Sequence, residues 1–271
     1  MADNKSEINS FELEITCSGR KFGMTVSLPK EAVCFGEMLP ILYAIDGVLV
    51  ETLSQSAQEN GQNIACRKGC GACCRQLVAI SLVEAQELAQ RVAALPAKRQ
   101  ARIRARFDQA VQRLEEAGLL DPNESSGERA LTIEDHGSRE TSLHELSRKY
   151  FRQQIPCPFL EEESCSIHDA RPMVCREYHV TSPAERCGHL FDQAVDRLEP
   201  PLRLGDVLTR AGEKILGLPP YSVPLVLALE WAGVHGGMLD ERRNAAEMFE
   251  AVMVEAAHSP EIAIRWRALG E

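Results

Sequence analysis

Two bunches of cysteine carry the chemistry of this chain. The first is Cys66-Arg-Lys-Gly-Cys70-Gly-Ala-Cys73-Cys74, and the second is Cys157, Cys165, Cys175 and Cys187; together they hold eight of the ten cysteines. Core cysteines scatter, whereas metal ligands bunch. Gly69, Gly71 and Ala72 make the first stretch a tight turn in which several thiolates can converge, because glycine takes backbone angles closed to other residues. The pattern points to a soft, sulfur-rich metal site. Residues 66–76 also hold three cations, Arg67, Lys68 and Arg75, and no carboxylate, in a chain of net charge −10. Arg171, Arg176 and Arg186 lie close to the second group. Cations beside thiols lower their pKa and offset clustered negative charge, although any one of these arginines also suits an exposed surface.

Two other uses of the cysteines are weaker. A disulfide framework suits an oxidising compartment, and the N-terminus, Met-Ala-Asp-Asn-Lys-Ser-Glu, shows no apolar signal segment. A cytoplasmic location, where thiols stay reduced, is the expectation. Packing as small hydrophobes suits Cys17 and Cys34, which sit on apolar periodic segments. It does not suit Cys66 to Cys74, flanked by Arg, Lys and Gly.

The elements that must position these groups are mainly helical. Residues 11–28 predict a β-hairpin, with Phe11, Leu13, Ile15 and Cys17 alternating on one strand and Phe22, Met24, Val26 and Leu28 on the next. A lone hairpin is marginal, so it must lie on the helices or pair with another chain. Residues 31–59 predict a helix that begins near Cys34. Ser81 and Glu84 form a capping box for a second. Pro96 opens a third, with Ile103, Phe107, Val111 and Leu114 as its stripe, stopped near Gly118. Arg99, Arg102, Arg104 and Arg106 on that helix suit phosphate in type and better suit a solvated face. Residues 119–140 predict a polar loop, and Ser142 with Glu145 caps a helix to about Gln154. The stretch from Cys157 to Val180 is irregular. Ser182-Pro183-Ala184-Glu185 predicts a helix start that places Cys187 near a positive dipole end, favouring its thiolate. The remainder predicts helices, with 223–234 buried on nearly all sides, one from about Asp240, and a short one at Pro260.

Cys66-x3-Cys70-x2-Cys73-Cys74, Cys157-Pro-Phe-Leu160, Cys165-Ser-Ile-His168, Arg171-Pro-x-x-Cys175-Arg176 and Cys187 together resemble the YkgJ-type cysteine-cluster family, described as zinc- or iron-chelating. The flagellin lysine methylases carry a similar cysteine signature. The resemblance implies eight ligands: Cys66, Cys70, Cys73, Cys74, Cys157, Cys165, Cys175 and Cys187. Zinc sites favour C-x2-C pairs. The irregular spacing here slightly favours an iron–sulfur cluster, with two four-cysteine zinc sites as the alternative. Cys73 and Cys74, being adjacent, do not readily bind one ion together, so Cys74 is a ligand only if there are two centres. Arg171 and Arg176 are expected to support the ligands from outside. His168, three residues after Cys165, has a better claim to a metal than His179 or His189.

The expected architecture is therefore mainly α: an irregular cysteine-rich metal-binding core surrounded by helices, with an N-terminal β-hairpin. The expected divisions are 1–60, hairpin and helix; 61–199, cysteine-cluster domain with a helical insert at 81–154; and 200–271, C-terminal helices, a possible surface for a protein partner. The acidic balance argues against nucleic acid, and no apolar run is long enough to span a membrane. The expected function is a metal-binding protein with a structural, storage, delivery or sensing role. A metal-cluster enzyme such as a protein lysine methylase, and a one-electron carrier, are the alternatives.

Overall fold

The computed structural model describes residues 8–17, 19–121, 123–131, 139–200, 202–218, 221–259 and 262–269. The side chains of Cys17 and of residues 139–142 lie outside that description, as do Ser18, Pro219, Pro220 and Pro260, on which parts of the predicted turns, caps and breaks fall.

The chain is mainly helical. The predicted hairpin forms as β1 (Ile8–Cys17) and β2 (Arg20–Pro29), with Leu13 opposite Met24 and Ile15 opposite Phe22. It is not left on its own. The segment predicted as a helix near Pro260 is instead β11 (Ile262–Ala268), which pairs antiparallel with β1 to give a three-stranded sheet of order β11-β1-β2. Ile262, Ile264 and Trp266 alternate with Ala263, Arg265 and Arg267, the period of a strand.

Between these lie β3 (Ala32–Val33), a 3₁₀ turn at Phe35–Met38 and α1 (Leu39–Glu59). Cys34 stands at the N-terminus of that turn, and its thiol donates to the Asp240 carbonyl (3.2 Å). β4 (Ala79–Ile80) leads into α2 (Leu82–Ala93), capped as predicted: the Ser81 hydroxyl and backbone N–H both donate to the Glu84 carboxylate (2.7 and 3.2 Å). α3 (Ala97–Glu116) follows Pro96, and Gly118 ends it with φ of +66°. α4 (Arg139–Arg152) begins a few residues before the predicted Ser142 cap.

The cysteine-bearing stretch has only short elements: β5 (Leu160–Glu161), β6 (Ser164–Cys165), α5 (Met173–Glu177), β7 (His179–Val180), a 3₁₀ turn at Ala184–His189 and β8 (Arg197–Leu198). Ser182 does not cap the Ala184 turn. Pro183 occupies that position, and the Ser182 hydroxyl accepts from the Asp196 N–H (3.2 Å). Then come α6 (Leu204–Leu216), β9 (Val223–Pro224), α7 (Ala228–His235), β10 (Arg243–Asn244) and α8 (Ala245–Ala256). Residues 223–228 are buried save for half-buried Pro224, but Val234 is 56 % exposed, so the apolar run turns outward at its end.

Two apolar cores result. The first joins Leu13, Leu28, Leu42 and Ile45 to Val207, Leu208, Phe249 and Val252, so the sheet lies on α1, α6 and α8. The second joins Leu88, Ile103, Phe107 and Leu114 to Phe159, Leu225 and Trp231. Both are built of hydrocarbon and aromatic side chains. The cysteines sit at their margins, with Cys157 packed half-buried against the second.

Candidate metal centre

The Cys66–Cys74 loop is a run of tight turns, because its small residues permit close folding. Cys70 N–H donates to the Arg67 carbonyl (3.1 Å), Cys74 N–H to Gly71 (3.0 Å) and Gln76 N–H to Cys73 (3.1 Å). Gly69 has φ of +90°, a value L side chains rarely adopt. Gly71 is needed for another reason: a Cβ there would lie 2.5 Å from the Glu163 carbonyl oxygen and 2.6 Å from Leu160 Cδ1. The loop therefore lies directly on the β5–β6 hairpin. Two backbone bonds fasten its ends to the second cysteine group, Ala65 N–H to Val180 (2.9 Å) and Cys157 N–H to the Cys74 carbonyl (2.7 Å). Arg75 pairs with Glu163 across the same junction.

The two groups of cysteine are thus neighbours in space, and their thiols act on one another. Repulsion from Cys73 raises the pKa of Cys66, Cys157, Cys165, Cys175 and Cys187. Cys187 senses Cys66 and Cys70, while Cys175 senses Cys157 and Cys165. In each of these five, burial is the largest cause of the rise; Cys157 reaches about 12 and Cys187 about 11. In Cys73 the hydrogen bond with Cys74 comes first. The predicted lowering at Cys187 does not occur, since a short 3₁₀ turn offers a weak dipole and burial outweighs it.

The positive charge of Arg171 opposes these shifts at Cys66, Cys73, Cys165 and Cys175. Arg176 turns the other way: its Nε donates to Asp46 (2.8 Å), its Nη2 to the Tyr43 carbonyl (3.4 Å), and its guanidinium lies 5.4 Å over the Tyr43 ring. Arg186 donates to the Ala194 carbonyl. His168 pairs with Asp169 and His189 is exposed. His179 is buried, has Nδ1 without a partner, and is held neutral first by burial and then by Arg171.

Some neighbours are not foreshadowed by the cysteine pattern. Gln76 donates to the Tyr178 hydroxyl (3.3 Å) and to the Cys187 carbonyl (3.4 Å), the Tyr178 hydroxyl lies 4.0 Å from Cys187 Sγ, and Arg197 lies 5.0 Å over the Tyr178 ring. The carboxylates that suspend α5 are equally unannounced. Glu84 accepts from Met173 N–H (2.7 Å), Asp46 holds Arg176, and Glu177 accepts from Gly205 N–H (3.1 Å). Asp46 carries a visible signal, being a charge inside the Leu42, Ile45, Leu49 stripe of α1.

Eight clustered thiols, several of them acting on one another and on Arg171, are chemically suited to a soft metal. Among the described residues no three His, Cys, Asp or Glu side chains already form a metal cage. Cys66 Sγ donates to the Tyr178 carbonyl (3.8 Å).

Residues 65–192 match the family model CxxCxxCC, described as a "putative zinc- or iron-chelating domain". The match covers 128 of the chain's 271 residues. The match spans all eight clustered cysteines and leaves out both Cys17 and Cys34. The matched segment has three residues between its first two cysteines, Cys66 and Cys70. No curated protein and no solved structure matches the chain. Among the described residues, no helix is long and apolar enough to cross a membrane.

Proposed function

We propose that this chain is a metal-binding protein whose CxxCxxCC domain holds a sulfur-ligated centre, iron–sulfur in preference to zinc, in a structural, storage, delivery or sensing role. The observation that carries the reading is the family match over the segment containing every clustered cysteine. The proposed ligands are Cys66, Cys70, Cys73, Cys74, Cys157, Cys165, Cys175 and Cys187, with Arg171 offsetting their charge. Cys74 is a ligand only if there are two centres. Bound metal would cross-link the loop to the β5–β6 hairpin, α5 and the Ala184 turn, so that loading and local folding are one event.

A second reading is an enzyme related to the lysine methylases. It is favoured by a cleft of about 390 Å³ lined by Gln76, His144, Phe151, Phe191 and Arg197, one hydrogen bond from Cys187. Anaerobic purification with iron, sulfide and zinc analysis and an absorption spectrum tests the first reading. Iron with matching sulfide, or zinc near two per chain by the four-ligand rule, is expected. Metal-free protein, fully folded and with all eight thiols titratable, overturns it. Reversible one-electron reduction would reassign the role to electron transfer.

A further inference from the structure

We propose a second binding site in the CxxCxxCC domain, for a phosphate-type oxyanion, in the concave face between α3 and the β5–β6 hairpin. Arg99, Arg102 and Arg106 are spaced i, i+3, i+7 and share one side of α3. They face Glu161, Ser164 and Ser166 across a cavity of about 410 Å³.

The charges in this cavity do not cancel. Arg106 is satisfied by Glu161 (3.1 Å) and by the Pro158 carbonyl (3.3 Å). Arg99 and Arg102 have no ion-pair partner among the described residues, and the remaining carboxylate on the wall, Glu162, is exposed. Two polar atoms are also left without partners although buried, Arg99 Nε and Ser166 Oγ. Buried donors without acceptors are costly. Water could satisfy one of them, but a surplus of guanidinium selects an anion. Guanidinium forks and hydroxyls are the donors that match the several oxygens of phosphate. Arg104, on nearly the opposite side of α3, does not line the cavity.

The site has a built-in neighbour. Ser164 of β6 and Ser166 in the turn that follows line the cavity, and Cys165 between them does not; Arg171 and Cys73 act on Cys165 instead. The anion site rests on α3 and the hairpin and is independent of which metal the cysteines bind.

The test is titration of the full chain with inorganic phosphate, and separately with phenyl phosphate, at matched ionic strength, read by calorimetry. Saturable one-to-one binding is expected, weakened roughly tenfold or more by Arg99→Ala or Arg102→Ala, the scale of one charge-assisted hydrogen bond. Arg104→Ala should bind as wild type. Tighter binding of the monoester assigns the anion to a larger molecule, and tighter binding of free phosphate assigns it to the free ion. Ser166→Ala guards against misfolding: it should weaken binding while leaving the thermal midpoint unchanged or higher, since it removes an unpaired buried hydroxyl. Absence of saturable binding, or equal loss in Arg104→Ala and Arg102→Ala, overturns the proposal.

Discussion

The two apolar cores and the cysteine-bearing stretch are held together by different physics. In the first core, Leu13, Leu28, Leu42, Ile45 and Phe249 are at most 1 % exposed, and each helix contributes a stripe several turns long. From Cys157 to Leu198 no helix exceeds six residues and no strand two. Its position comes from discrete polar ties: Asp46 to Arg176, Glu84 to Met173, Glu177 to Gly205 and Arg75 to Glu163. Hydrocarbon packing is non-directional and gives stability. Charged ties in low dielectric add little net stability, but they fix direction. The hydrophobic cores thus provide the scaffold, and the ties aim Cys175 and its neighbours.

The sharpest way to break this contrast is to remove the proposed metal. Structural zinc contributes on the order of 10–16 kcal/mol in small domains. Chelation under reducing conditions should therefore abolish hydrogen-exchange protection across 157–198 while α1, α6 and α8 stay protected. Unchanged protection in the cysteine stretch would mean that the ties suffice alone. Next, Phe249→Ala should cost about 3–5 kcal/mol in urea unfolding yet leave metal per folded molecule unaltered; metal loss without unfolding would join the two regions.

Breaking a tie should come third. Arg176→Ala strands the buried Asp46 carboxylate, at about 2–3 kcal/mol, below the range for fully buried pairs because Arg176 is 21 % exposed. Metal retention against chelator should fall with it. Wild-type retention would make the Asp46–Arg176 pair a stabiliser only.

A smaller effect concerns pH. Burial, then Asp46, pushes Glu177 up from 4.5 to about 8. The folded state consequently holds an extra proton between those values, so this contribution is full below 4.5 and is lost as pH rises through 8. Urea midpoints of the protein as purified should decline across that window relative to Glu177→Gln, which keeps an acceptor for Gly205 N–H. An unchanged slope removes Glu177 as its source. Smallest of all, Cys34→Ser retains a donor for the Asp240 carbonyl and should change stability by less than about 0.5 kcal/mol, with metal content untouched.

Periodicity made much of the scaffold legible. The stripes of α2, α3 and α6, the Ser81–Glu84 cap and the β1–β2 alternation follow from local spacing. What local spacing cannot supply is partnership. Residues 262–268 alternate as a strand should, yet they are short and follow a helix-opening Pro260; only pairing with β1 decides between the two. The same limit applies to the candidate centre. The eight cysteines stand out by type and bunching, and the clustering of Arg171 near them is visible in sequence. That Arg176 is drawn to Asp46, that Gly71 presses on Glu163, and that Gln76 and Tyr178 reach Cys187 all depend on contacts between distant segments. Ser182 shows the converse: a sound local cap sequence whose hydroxyl is taken by Asp196.

The sheet of order β11-β1-β2 also fixes a timetable. Arg267 on β11 reaches Glu12 on β1, 255 residues away. At roughly 5–20 residues per second of ribosomal synthesis, the hairpin waits on the order of tens of seconds for its third strand. During that wait β1 offers an open edge, the feature that invites pairing between chains. A nascent chain stalled before β11 should therefore be the form most in need of a chaperone, whatever the state of its metal.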